Sequence, residues 1–210
     1  MQTECRFSLS VMCDNYVERI LGALEQVDLD QMWSRTDALS TTYHGERQHV
    51  LDAVQAFFDH ANDGETHITM EATFTACPDD LVGANSVRPR TGRTDTVGAD
   101  IIRPPTEQTG TVGAAICRPR TRNARPYEVR SKIAFYPLGI ANYADHIAHT
   151  IEFAQQHGLY QAPSRYGAEL FGDVQALFDY FDAILAYAEA QLEYYALQVT
   201  LSVNSPTKQS

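Results

Sequence analysis

Residues 6–78 run through an apolar strand, a helix, a polar strand pair, a second helix and a long alternating strand. Residues 130–206 repeat that order at the same spacing. Asn15-Tyr16 answers to Asn142-Tyr143, and Ala76-Cys77-Pro78 to Asn204-Ser205-Pro206. A duplicated unit of this size predicts a pseudo-symmetric scaffold with two related, non-identical sites. It also constrains the fold, because each βαββαβ unit leaves one sheet face that must be covered or wet.

In the first half, Phe7, Leu9 and Val11 alternate with Arg6, Ser8 and Ser10, the period of a strand with one buried face. Asp14 is the expected cap of the next helix, whose apolar stripe is Tyr16, Val17, Ile20, Leu21, Leu24 and Val27. Residues 32–45 lack a helical stripe and are rich in Thr, Trp and Tyr. They predict two strands with a turn near Asp37-Ala38. Val50, Leu51, Val54, Phe57, Phe58 and Ala61 define an amphipathic helix that stops at Asn62-Asp63-Gly64. Ile68, Met70, Ala72 and Phe74 mark the last strand.

The second half repeats each step. Ile133 and Phe135 open a strand, and Tyr143, Ile147 and Ile151 mark a helix ending near Gly158. A polar strand pair at 160–172 follows. Val174, Leu177, Phe178, Phe181, Leu185 and Ala188 then define a helix, and Tyr195, Leu197, Val199, Leu201 and Val203 a closing strand. The expected fold class is α+β: antiparallel sheets with two helices on one face of each. Sheets with an open face often pair, within a chain or between chains.

Charge is uneven along the 210 residues. Residues 1–78 carry 4 basic and 13 acidic side chains, residues 79–128 carry 8 and 6, and residues 129–210 carry 4 and 8. Both acidic halves would repel a phosphate backbone, which argues against nucleic acid. A small cation or a neutral heterocycle is tolerated. No run approaches the roughly 18 apolar residues of a membrane span, and no leader pattern opens the chain, so a cytoplasmic protein without membrane insertion is expected. Cys5, Cys13, Cys77 and Cys117 form no Cys-x-x-Cys pair. Cys5 and Cys77 fall on strands expected to be neighbours, yet reduced thiols are the favoured reading.

The middle belongs to neither repeat. Arg-Pro recurs at Arg88-Pro89, Arg103-Pro104 and Arg118-Pro119, and Thr-Val-Gly-Ala at Thr96–Ala99 and Thr111–Ala114. Such a stretch buries too little surface to offset its ordering entropy. A flexible linker is favoured over a basic interaction arm. The expected division is a first repeat at 1–78, a linker at 79–128 and a second repeat at 129–210.

Several stretches together resemble a known family. They are Arg6-Phe7-Ser8-Leu9 with Met12, the Trp33–Gly45 segment, Phe135-Tyr136-Pro137-Leu138, Tyr166 with Glu169-Leu170 and Gly172-Asp173, and the ending Leu201–Pro206. The chain resembles the YkoF-type thiamine and hydroxymethylpyrimidine-binding proteins outside residues 79–128. That resemblance implies tandem ferredoxin-like (ACT-like) βαββαβ repeats, a homodimer, and an aminopyrimidine pocket in each repeat. It also implies a role beside a thiamine-precursor transporter, in uptake or salvage, with no catalysis and no cofactor. Two departures stand out: the long middle insert, and Ser164-Arg165 in place of the apolar residue and His that the resemblance leads one to expect.

An aminopyrimidine has a flat apolar face, an amino donor and ring-nitrogen acceptors. A site needs an aromatic or Met cover, a carboxylate for the amino hydrogens, and hydroxyls or amides for the ring nitrogens. The first repeat offers Trp33, Thr36, Asp37, Ser40 and Thr41. The second offers Phe135, Tyr136, Tyr166 and Glu169. With Gly45 aligned on Gly172, Glu169 falls opposite Thr42, so the repeats would use carboxylates from different positions. Plain alternatives exist for each: Asp37 as a turn residue bonding its own backbone, Trp33 as core, and Tyr16 and Tyr143 as helix packing.

Two rival functions need weighing. A metal site or hydrolase would draw on His44, His49, His60 and His67, or on His146 and His149. Neither set has a compact ligand spacing, so solvated helix-face histidines are expected. A regulatory or structural dimerisation module without thiamine binding is the stronger rival, since fold alone does not separate it from a carrier.

Overall fold

The computed structural model describes residues 2–77, 126–165 and 167–207. Nearly all of the expected linker at 79–128 lies outside the described residues. The first repeat comprises β1 (Gln2–Val11), α1 (Tyr16–Leu24), β2 (Trp33–Thr36), β3 (Thr41–Gly45), α2 (Arg47–Ala61) and β4 (Ile68–Cys77). The second comprises β5 (Glu128–Leu138), α3 (Tyr143–Gln156), β6 (Tyr160–Ser164), β7 (Gly167–Asp173), α4 (Val174–Gln191) and β8 (Tyr194–Val203). Each is a ferredoxin-like unit.

The expected pair of sheets is one sheet. Its eight strands run β2-β3-β1-β4-β8-β5-β7-β6, all neighbours antiparallel. The join is the β4–β8 ladder, from Ile68 opposite Val203 to Thr75 opposite Ala196. A pseudo-twofold axis passes through it. Gly45 pairs with Thr3 and Gly172 with Val129, so aligning the two glycines makes Glu4, opposite Thr75, equivalent to Arg130, opposite Ser202. Thr75 therefore corresponds to Ser202, and Cys77 to Asn204. The motif match of Ala76-Cys77-Pro78 with Asn204-Ser205-Pro206 is one place out of register.

Alternation explains the burial. Cys5, Phe7 and Val11 of β1, Met70 and Phe74 of β4, Ile133 and Phe135 of β5, and Leu197 and Val199 of β8 are all buried on the helix-bearing face. The stripes expected of α2 and α4 are buried throughout. Removing such surface from water contributes about 25 cal/mol per Å² of apolar area. Phe7 meets Tyr43 edge-on at 4.8 Å and Phe57 at 5.4 Å. The repeats also meet through their helices. Arg47 at the start of α2 donates to Asp182 Oδ1 of α4 at 2.8 Å and to Glu189, while Gln55 donates to Gln175 at 3.0 Å. Tyr127, within the segment expected to be linker, donates its hydroxyl to Asp59 at 2.5 Å and packs near Phe58. The second unit therefore begins before residue 129.

Two local expectations are corrected. Asn15, not Asp14, occupies the cap position of α1, and its side chain makes no cap bond. The α1 stripe is only partly used: Ala23 is buried, while Tyr16, Val17 and Leu21 remain about half exposed. The helix turns only its Ile20–Ala23–Leu24 side to the sheet, and its pseudo-equivalent α3 leaves Tyr143 similarly exposed, so neither tyrosine is helix-face packing. Cys5 lies opposite Tyr43 and Phe74, whereas Cys77 pairs with Gln2, so the two cysteines are not cross-strand partners. Cys5 and Cys13 are free thiols, and burial pushes the Cys5 thiol well above its ordinary pKa.

Candidate functional site

The side of the sheet opposite the helices carries the polar members of every alternating strand. Cross-strand register arranges them in rows. One row is Arg35–Thr42–Arg6–Thr73–Gln198–Ala134. The next is Ser8–Glu71–Thr200–Lys132–Glu169. A third is Trp33–His44–Glu4–Thr75–Ala196–Tyr136. Residues opposite each other in an antiparallel pair share a face with Cβ atoms about 5 Å apart. These rows are therefore continuous floors that run across both repeats.

Two cavities sit on this floor. The first, about 300 Å³, is lined by Arg6, Ser8, Ser40, Thr42, Glu71 and Asp37, among others. The second, about 440 Å³, is lined by Arg130, Lys132, Gln161, Glu169, Thr200 and Ser202, among others. They are neighbours, because Glu71 of one lies directly opposite Thr200 of the other. They are not symmetric copies. The first spans the rungs of Arg6 and Ser8; the second spans those of Lys132 and Arg130, which correspond to Arg6 and Glu4. A register shift in β6 between Tyr160 and Ala162 accompanies the displacement. It sets Tyr160 opposite the buried Leu170 and against the core, where the first repeat puts Trp33 on the open face.

The sequence-predicted residues divide accordingly. Trp33 is on the open face, one row from the first cavity and 37% exposed, so it is not core. Ser40 and Asp37 line that cavity. Asp37 Oδ1 accepts from the backbone N–H of Leu39 at 2.8 Å and of Ser40 at 3.0 Å, which makes it the keystone of its turn. Those two bonds, with the nearby Arg35 and Arg6, hold its carboxyl below the ordinary value. Thr36 and Thr41 bond each other at 3.0 Å but pair in the row of Phe7, on the helix side. They are not gathered with Trp33, because successive strand residues point to opposite faces. Phe135 is likewise a core residue, fully buried against Tyr195 at 6.4 Å. Tyr136 faces outward and donates to Gln198 Oε1 at 3.2 Å. Glu169 lies in the second cavity, where Lys132 Nζ donates to its Oε1 at 2.9 Å. Tyr166 lies outside the described residues.

Sequence reasoning missed Arg6, Ser8, Glu71 and Thr73 in the first cavity, and Arg130, Lys132, Gln161, Thr200 and Ser202 in the second. A signal was present. Each of the strand residues among them is the polar member of an alternating pair, which reads as solvent-facing unless the sheet's far side is itself the site.

The histidines do not converge. Among the described residues, no three His, Cys, Asp or Glu side chains are placed to hold a metal ion. His49 and His60 border a separate cavity of about 250 Å³ between α2 and the loop before β2, on the helix side. His146 Nδ1 lies 2.8 Å from the Tyr187 hydroxyl, and His149 stacks on the same ring at 4.1 Å. These two are half-buried partners of α4 rather than solvated side chains.

Duplicated ferredoxin-like units fused edge to edge, with paired polar cavities on the bare face, define a class of tandem-repeat proteins. The chain belongs to the YKOF-related family, which it matches over residues 2–80 and 128–208. Among curated relatives, the "Putative HMP/thiamine-binding protein YkoF" of Bacillus subtilis (strain 168) is 31% identical over 206 residues. That alignment covers 98% of this chain and 92% of the relative. Among the described residues, no helix is long and apolar enough to cross a membrane.

Proposed function

We propose that this protein reversibly binds thiamine or its hydroxymethylpyrimidine precursor in the two open-face cavities, without bond chemistry. The observation that carries the reading is the second cavity's donor and acceptor set. Glu169 offers a carboxylate for the exocyclic amino group, Gln161 and Lys132 offer N–H donors for ring nitrogens, and Thr200 and Ser202 offer hydroxyls. The first cavity has the same kinds of group in Glu71, Arg6, Ser8 and Thr42, which supports two sites per chain. The name of the Bacillus subtilis relative supports the ligand class. In this reading Trp33 and Tyr136 flank the floor as apolar covers. The protein works in the cytoplasm beside a thiamine-precursor transporter, in uptake or salvage.

The bare face of the sheet also supports a homodimer in which a second copy roofs both cavities. That same face favours the rival account, a regulatory or structural dimerisation module. Calorimetric titration of the folded chain with thiamine and with hydroxymethylpyrimidine separates the two. The carrier reading expects saturable heat, with Glu169→Ala weakening one class of site and Glu71→Ala the other, each by about tenfold. A folded chain that gives no heat with either ligand leaves the dimerisation module as the account.

A further inference from the structure

The two cavities differ most where a substituent on the pyrimidine would extend along the strand. Arg130 and Lys132 point the same way from β5, two residues and roughly 6.6 Å apart. Lys132 is matched by Glu169, whereas among the described residues no carboxylate pairs with Arg130. Its guanidinium carbon rests over the Phe171 ring, 5.1 Å from the centroid. Beside it in register stands Ser202, whose hydroxyl lies 3.1 Å from His67 Nε2. In a chain of net charge −11, the lining of this cavity sets two cations against one carboxylate, with Glu128 and Asp173 one rung beyond Arg130. The first cavity reverses the balance: its lining sets Arg6 against two carboxylates, Asp37 and Glu71.

We infer that the second cavity takes the phosphate monoester of the hydroxymethylpyrimidine, its phosphate held by Arg130 and Ser202, and that the first repeat excludes the ester. The inference rests on the aminopyrimidine reading and deepens it. With the ring between Glu169 and Gln161, the primary hydroxyl carries its phosphate one rung further along β5. A guanidinium edge meets a phosphate there with two parallel N–H bonds. In the first cavity the same extension, from Glu71 on the Ser8 rung, reaches Arg6, whose charge is offset by the two lining carboxylates Asp37 and Glu71.

The test is a calorimetric titration of the full chain with hydroxymethylpyrimidine and, separately, with its phosphate monoester. The ester is expected to fill one site per chain, about tenfold tighter than the alcohol at that site, with an advantage that shrinks as salt rises. Arg130→Gln should cut the ratio of ester to alcohol affinity by about tenfold. Asp37→Asn, shown by its melting curve to be folded, should create a second ester site. Saturation by the alcohol with no preference for the ester overturns the inference and leaves the aminopyrimidine reading standing. So does a ratio untouched by Arg130→Gln. Absence of binding by both ligands overturns the two together.

Discussion

Gly167 opens β7 beside the second cavity, and nothing larger fits there. A Cβ at this position would stand 2.0 Å from the carbonyl oxygen of Ile133, 2.8 Å from its carbon and 3.1 Å from the Ala134 Cα. All three are backbone atoms of β5, so no side-chain rotation relieves the clash. Ordinary carbon contacts need about 3.5 Å, so the strands would have to part by more than 1 Å at the Ala134–Gly167 pair, the last of the β5–β7 ladder. Gly167→Ala thus costs one or two ladder hydrogen bonds, at roughly 1 kcal/mol each. Disturbed packing around the buried Ala168 adds about 1–2 kcal/mol more. The sum, about 2–4 kcal/mol, corresponds to a fall in Tm of roughly 4–16 °C for a domain of this size. β7 also carries Glu169, so binding in the second cavity should weaken while the first, built on β1, β3 and β4, is unaffected. Thermal melts with paired calorimetry measure both effects. A variant within about 0.5 kcal/mol of the parent would show that the β5–β7 spacing is looser than described.

The clasp between the repeats is testable at Arg47, whose ion pairs with Asp182 and Glu189 are about four-fifths buried. Arg47→Met should cost about 2–3 kcal/mol in urea unfolding, most of it from two carboxylates left without their cation. Asp182→Asn in the same background should cost less than it does alone. Asp63 is held well below the usual carboxylate range, chiefly by the Arg19 guanidinium at 2.7 Å, then by the backbone N–H groups of Thr66 and Glu65. Because its folded value is depressed, its contribution is complete at neutral pH and is lost as pH falls from about 3.9 toward the folded value. Asp63→Asn should therefore lower stability at pH 7 by about 0.5–1 kcal/mol, after allowance for solvent screening. The gap from the parent should narrow below pH 4, as urea titrations across pH would record.

Strand and helix periodicities were legible because burial imposes them: Phe7, Met70, Phe178 and Leu197 each lie where alternation or the helical stripe puts an apolar side chain. The duplication was legible for the same reason. What escaped was the sidedness of the site. The segment from Trp33 to Thr41 looks contiguous in sequence, but a strand sends Thr36 and Thr41 one way and Trp33 the other. Phe135 and Tyr136 adjoin in sequence, yet neighbours in a strand never share a face. The exposure of Tyr16 and Tyr143 depends on which side of α1 and α3 turns to the sheet, which the apolar stripe alone does not specify. The pairing of β4 with β8 depends on a long-range contact that has no local signal.

That pairing has an evolutionary corollary. Antiparallel edges are self-complementary, so a lone first repeat would present β4 to another β4 about a true dyad, with the Ile68, Met70 and Phe74 side fitted to its own kind. A chain cut after β4 should sediment as a dimer if this geometry is intrinsic to the unit. The present molecule is then a homodimer rewritten as one polypeptide. Fusion released its halves from sharing one sequence, which allowed a glutamate at position 4 and an arginine at position 130 to occupy the same seat.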